Sequence, residues 1–319
     1  MHSPDTLQVR ATLKDTAFRD LVRKVWDGLA TLPVAPDFAN VEGGGVEQHR
    51  DMRLRLHHCA NYAAVLAVLG DAPAGLRLLE LGCGTGALSS VFAGLLPQGS
   101  RLTATDYSRE LVDLASRHYG GRNVGFEQLD VRQVAGERLA GVDVVLFLEV
   151  IEHLEASDAA ALLRRLHAGL PSGARLVLTT LDRSAFSRPF SGYAPHRVEY
   201  THRSMQTFLS DPKNNPFERF TLLRLCSERI TGDSVRNENR GGYLVNRFQR
   251  TALRAAERSK FAALLHIGFT RLAFRAYSLV PRRPDFDLEG YLATLSLVED
   301  PEGTHDADSF GLVAVLQKA

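Results

Sequence analysis

The sequence predicts an α/β protein built on a doubly wound, mostly parallel sheet, and three observations carry that prediction. From residue 75 onward short apolar runs alternate with helix-length segments, the rhythm of parallel βαβ units with right-handed crossovers. A glycine-rich string, L-L-E-L-G-C-G-T-G, closes the first of those runs and opens the helix after it. The 319 residues, 45% hydrophobic and 24% charged, are enough for one large domain with insertions and exclude wholesale disorder.

In chain order, residues 7–30 read as a helix, with Leu7, Leu13, Phe18, Leu21, Val25 and Leu29 at three- and four-residue spacings. Pro33, Pro36 and Gly43–Gly45 break it, and Glu47–Leu69 forms a second helix stopped by Gly70 and Pro73. Residues 1–74 are thus an N-terminal helical cap. Strands are expected at Leu76–Leu81, Arg101–Thr105, Val124–Gln128, Val142–Leu148 and Arg175–Thr180, with helices at 86–96, 108–118 and 157–169 between them. These make a core over residues 75–182. Residues 183–217, rich in Pro, His, aromatics and Asn, read as an irregular lid insertion with a short helix. Phe220–Ile230 is a sixth strand, inside a core segment 218–234. A helical insertion and acidic loop fill 235–307, and Phe310–Gln317, within 308–319, is the seventh and last strand.

Composition narrows the partners. Lys and Arg number 38 against 37 Asp and Glu, so the net charge of +1 provides no global field for nucleic acid or membranes. Cys59, Cys83 and Cys226 are scattered and odd in number, against a disulfide framework or a cysteine zinc site. The start, M-H-S-P-D-T-L-Q-V-R, has no apolar signal core, and no run approaches the roughly 20 apolar residues of a membrane span. A soluble, cytoplasmic protein without stable membrane insertion is expected.

In the glycine string, Gly82, Gly84 and Gly86 follow a strand and open a helix, where small residues let backbone amides approach a ligand. The spacing is G-x-G-x-G, not the G-x-G-x-x-G of nicotinamide binding, and Glu80 precedes it. A carboxylate there repels pyrophosphate but suits an ammonium group, so the implied ligand is zwitterionic. Asp106 ends the second strand, placed to accept both hydroxyls of a ribose. Tyr107 offers an aromatic face to a purine, and Asp130 with the Val131 amide suits an adenine edge. Ribose, adenine and an amino-acid head together describe S-adenosylmethionine. At these residues the chain resembles the class I S-adenosylmethionine-dependent methyltransferases, closely over about residues 75–182. The resemblance implies a Rossmann-like, seven-stranded sheet whose last strand is antiparallel.

After the fourth strand comes L-F-L-E-V-I-E-H-L. If its turn is helical, Glu149, Glu152 and His153 share one face and suit a divalent metal, given a fourth ligand. His196, in P-H-R-V-E-Y-T, is that candidate. Here the chain looks like the small-RNA 3′-terminal 2′-O-methyltransferases, whose E-x-x-E-H string and later H-x-F-E-W-T histidine hold a catalytic metal; Val198 and Tyr200 replace the aromatic pair. Two imidazoles favour Mn²⁺, Fe²⁺, Co²⁺ or Zn²⁺ over Mg²⁺. The same string also occurs in metal-free small-molecule methyltransferases, including relatives of the ubiquinone-pathway O-methyltransferases. There His153 or His196 is a general base, and Glu149 approaches the cofactor. Other histidines, among them His57, His58, His167 and His266, fall on helical stretches and are expected to be solvated or packed.

Residues 219–283 hold fourteen basic and four acidic side chains, and 285–319 hold eight acids and one lysine. Arg247, Arg250, Arg254 and Arg258 fall on one helical face, either solvated or set toward an anionic substrate. Phe261–Val280 is amphipathic and suits a cap or a homodimer contact. The expected function is methyl transfer to an oxygen of a small, diol-bearing or anionic biosynthetic substrate. The alternatives are methylation of an RNA 3′ end, and a cofactor-binding cyclase or regulator of the same fold.

Overall fold

The computed structural model describes residues 15–32, 52–70, 72–134, 136–258, 286–300 and 302–319. Helices α1 (Asp15–Thr31) and α2 (Met52–Leu69) precede β1 (Arg77–Leu81), α3 (Ala87–Leu95), β2 (Arg101–Asp106), α4 (Arg109–Tyr119) and β3 (Val124–Gln128). Then come β4 (Val144–Leu148), α5 (Ala156–Gly169), β5 (Arg175–Leu181), α6 (His202–Ser210) and β6 (Arg219–Cys226). The chain continues through α7 (Glu228–Asn237), α8 (Tyr243–Arg258), α9 (Leu288–Leu292), β7 (Ser296–Glu299) and β8 (Ser309–Gln317). The expected starts of the first two helices and the whole of Phe261–Val280 lie outside the described residues. So do the side chains of Arg254 and Arg258.

The sheet order is β3-β2-β1-β4-β5-β8-β6-β7. The first five strands are parallel, and β8 is antiparallel to both β5 and β6, as the resemblance implies for the last strand. Strand order reverses between β1 and β4, so the crevice at their C-terminal ends is the topological switch point where ligands of such sheets bind.

Alternation within the strands covers both faces. Val144, Leu146 and Leu148 of β4 join a core with α1, α2, α3 and α4, whereas Val145 and Phe147 join one with α5 and α6. The side chains Phe18, Val22, Val25, Leu56 and Val65 of the two N-terminal helices belong to the first of these cores.

Two expectations change. The sheet has eight strands rather than seven, because Ser296–Glu299 inside the expected acidic loop pairs antiparallel with β6 and buries Leu297. The expected strand Phe220–Ile230 stops at Cys226, because the Ser227 hydroxyl accepts from the Ile230 amide at 3.2 Å and caps α7. Much of 227–234 is therefore helix. Among the described residues no helix is long and apolar enough to cross a membrane.

Candidate active site

The glycine turn after β1 is shaped from within. Gly82, Gly84 and Gly86 have φ of 88°, 56° and 75°, a region that penalises any Cβ. A Cβ on Gly82 would also strike Val150, and one on Gly86 the ring of Phe126. The turn's amides are largely engaged inside the chain, contrary to the expectation that they face a ligand. Gly82 and Cys83 donate to the Thr105 carbonyl at 2.7 and 2.8 Å, Gly84 to Asp106 Oδ2 at 3.0 Å, and Gly86 to the Cys83 carbonyl. What remains is the first turn of α3, whose N-cap Gly86 provides no side-chain cap.

Asp106 is buried at the end of β2, and each of its oxygens already takes one amide, from Gly84 and from Ser108 at 2.9 Å. Burial pushes its carboxyl upward against those amides. Each oxygen keeps a second lone pair for a hydroxyl. Tyr107 is 73% exposed. Asp130 is turned to its own neighbour: Arg132 donates to both of its oxygens, and the Arg132 amide to one. The expected adenine contact of Asp130 therefore competes with an ion pair that holds its carboxyl low. Val131 begins the short 3₁₀ turn Val131–Gln133.

The cap helix α2 reaches this crevice. Tyr62 donates to Glu80 Oε1, whereas Glu80 Oε2 is buried with no hydrogen-bond partner. Burial pushes both Glu80 and Tyr62 up. One turn back, His57 bonds Glu149 Oε2 at 3.1 Å. His57 was expected to be packed or solvated; it is buried, but it is tied to the string after β4.

That string does not form one helical face. Glu149 takes a left-handed backbone, φ 55°, and only Ile151–His153 make a 3₁₀ turn. Neighbouring β5 then separates the two carboxylates. Thr179 donates to Glu149 at 3.1 Å, and Thr180 to Glu152 at 2.9 Å. Successive strand residues face opposite sides of a sheet, so Glu149 turns to the α2 side and Glu152 to the α5 side. For Glu149 burial acts upward, but His57, by charge and hydrogen bond, outweighs it together with His58 and Thr179, and the carboxyl is held at about 2. Glu152 is pushed well up, by burial and then by the charge of Glu149.

Three of the four expected ligands do converge. Donor atoms of Glu152, His153 and His196 all lie within 4.8 Å of one another, and Glu149 is not among them. The lid loop is tied to the turn by the Arg197 and Val198 amides, which donate to the Glu152 carbonyl at 2.7 and 3.2 Å. His153 Nδ1 meets the Pro195 carbonyl at 3.3 Å, and His196 Nδ1 meets Glu199 Oε1 at 2.7 Å. Both acceptors lack a hydrogen, so each Nδ1 carries a proton, and in the neutral ring the lone pair then belongs to Nε2. The two rings meet edge to face, 5.0 Å apart. Burial of its ring and the nearby His196 push His153 below the usual imidazole range, so it is neutral at pH 7.

Residues 49–230 match the family described as Methyltransferase domain, more than half of the chain. The chain belongs to the methyltransferase domain family. Among curated proteins this methyltransferase domain is similar to the ubiquinone biosynthesis O-methyltransferase of Xanthomonas axonopodis pv. citri, with 37% identity over 114 residues, 35% of this chain and 46% of the relative. The protein of the same name from Caulobacter sp. is 36% identical over 112 residues, 34% of this chain and 42% of that one. The chain thus matches less than half the length of these relatives. Among solved structures, coclaurine N-methyltransferase bound to N-methylheliamine and SAH is 14% identical over 99% of this chain and 90% of that one, with a TM-score of 0.47.

Sequence reasoning gave no site role to His57, Tyr62, Thr179, Thr180 or Glu199. His57 was read as solvated or packed, and Glu199 stands three residues after His196 in the quoted string.

Proposed function

We propose that the protein is an S-adenosylmethionine-dependent O-methyltransferase acting on a hydroxyl of a small biosynthetic substrate. The observation that carries this reading is the grouping of Glu152, His153 and His196 after β4, with the Nδ1 of each imidazole already engaged by an oxygen of the chain. The curated relatives, named O-methyltransferases of ubiquinone biosynthesis, support the same chemistry. The unpartnered Glu80 Oε2, the lone pairs left on Asp106 and the uncapped start of α3 fit the ammonium, ribose and carboxylate of the cofactor. Bound there, S-adenosylmethionine supplies an electrophilic methyl whose C–S bond electrons return to sulfur as the new O–CH₃ bond forms. The chain's own task is to align the hydroxyl and to take its proton on an imidazole Nε2, which then releases it to solvent.

A second reading is favoured by Glu152, whose carboxylate completes a two-histidine, one-carboxylate set with both imidazoles braced at Nδ1. Those three residues would hold a divalent cation, which lowers the pKa of a coordinated hydroxyl and favours a vicinal diol. One experiment addresses both readings: S-adenosylhomocysteine is measured with a catechol acceptor, before and after EDTA. Acceptor-dependent product supports methyl transfer, and no product with any hydroxylated acceptor overturns it. Activity intact in EDTA assigns the proton to the imidazoles, and loss restored by Mn²⁺ assigns it to the metal-assisted route.

Cofactor binding has its own test by calorimetry. Asp106→Ala is expected to weaken S-adenosylmethionine roughly 10-fold or more, the equivalent of one or two hydrogen bonds to a charged group. Gly84→Val is expected to abolish binding, because a β-branched residue cannot hold φ 56°. Unchanged affinity in both variants would remove the cofactor from this crevice. Of the basic stripe, Arg247 is exposed, whereas Arg250 stacks on Phe190 of the lid at 4.5 Å, so its loss would loosen the lid as well as any anion contact.

A further inference from the structure

Glu199 is a buried carboxylate without a role in the reading above, on which this inference rests. Its side chain has no exposed surface. It accepts from His196 Nδ1 at 2.7 Å, from the Ser191 amide at 2.7 Å and from the Ser191 hydroxyl, and it forms an ion pair with Arg183 Nε at 3.3 Å. Three residues thus hold it: the His196 ring, the Arg183 guanidinium, and Ser191 through its amide and its hydroxyl.

Those partners lead to the helical insertion. Arg183 donates to both oxygens of Glu238 at 2.8 and 3.0 Å, in the turn between α7 and α8, and its guanidinium lies over Phe186. The Ser191 carbonyl accepts from Asn246 of α8 at 3.3 Å. Arg188 stacks on Tyr243, and Arg250 on Phe190, each at 4.5 Å. The insertion therefore clamps the loop that carries Ser191, His196 and Glu199. Among the described residues no carboxylate bonds the His153 ring; its Nδ1 meets the Pro195 carbonyl, at the longer distance of 3.3 Å.

We propose that Glu199 is a positioning residue that locks His196 in the Nδ1–H tautomer, with Nε2 directed at Glu152 and His153, and that the insertion holds Glu199 there through Arg183 and Ser191. A buried carboxylate on the far nitrogen of an imidazole fixes both its ring plane and its tautomer, whether the near nitrogen takes a proton or a metal. A merely structural Glu199 would tie down the loop without dictating which ring nitrogen of His196 carries the hydrogen.

The test uses the full chain with isotope-labelled histidine, reading the His196 nitrogen shifts by NMR in the metal-free protein, alongside kcat and KM. In the wild type, His196 is expected to be protonated at Nδ1. In Glu199→Gln, whose amide can donate to Nδ1, the Nε2–H tautomer should appear. The kcat should fall roughly 10²-fold or more with KM within a few-fold, and Glu199→Asp should restore the Nδ1–H signal and part of kcat. A wild-type His196 protonated at Nε2, or a tautomer indifferent to Glu199→Gln, overturns the proposal whatever the turnover. The predicted tautomer change in a protein that methylates no acceptor would keep the positioning role and remove the methyl-transfer reading instead.

Discussion

Replacing His196 with alanine is expected to lower kcat by roughly 10²–10⁴-fold, the range for a positioned acid–base group, with S-adenosylmethionine affinity unchanged. The imidazole is buried, its ring meets those of His153 and Tyr193 edge to face, and one of its ring nitrogens belongs to the group with Glu152 and His153. None of these contacts belongs to the glycine turn, Glu80 or Asp106, which is why cofactor binding should survive. His153→Ala should also be slow, and the double variant little slower than the worse single one, because residues acting on one proton do not add. Calorimetry for the cofactor and steady-state kinetics for the acceptor separate the two effects. Turnover close to wild type in His196→Ala would remove the imidazole pair from the chemistry and leave it as lid structure.

The largest effect on stability is expected at Arg224. This arginine is 1% exposed and meets Asp182 at 2.9 Å, Asp300 at 2.9 Å and Asp306 at 2.5 Å. Asp182 also accepts from the Ser309 hydroxyl, and Asp300 from the Thr304 and His305 amides, so one guanidinium joins the end of β5 to the loop before β8. Arg224→Met keeps much of the volume but leaves two buried carboxylates without their cation, at a cost of about 3–5 kcal/mol. At about 2 °C per kcal/mol for a chain of this size or a little smaller, Tm should fall by roughly 6–10 °C.

The pH dependence has a definite sign. Burial acts upward on Asp300, but the His305 and Thr304 amides and Arg224 outweigh it and hold the carboxyl at about 2. A depressed carboxyl contributes stability that is complete above the unfolded value of about 3.9 and is lost as pH falls toward the folded one. The gap between wild type and Arg224→Met should therefore narrow as pH drops from 5 to 2 in denaturant titrations. A variant as stable as wild type at pH 7 would show that the aspartates do not need the arginine.

Much of the architecture was legible in the sequence, for physical reasons. The inner parallel strands β1, β4 and β5 are buried on both faces and so read as apolar runs, and the glycine turn is marked because φ values of 56–88° strongly favour glycine. The short edge strand β7 was not legible: four residues, S-L-V-E, carry too little pattern to stand out of an acidic segment. The end of β6 was hidden in the same way, since a serine cap inside an apolar stretch is local chemistry that hydropathy does not register.

The site divides along the same line. Sequence by itself determined the donor types and their places: Glu80 and Asp106 at strand ends, the E-x-x-E-H turn after β4, and a histidine in the lid. Only the tertiary structure decided which of them act together. Spacing alone put Glu149 with Glu152 and His153, but Thr179 and Thr180 of β5 draw the two glutamates to opposite sides of the sheet, and His57 holds the first from a helix 92 residues earlier. His196 reaches Glu152 and His153 because the lid's backbone binds the turn, and Glu199 fixes it because Arg183 and the insertion pack behind it. Residue type and periodicity are properties of the chain, but hydrogen bonds between segments far apart in sequence depend on how the strands stack, which no local spacing encodes.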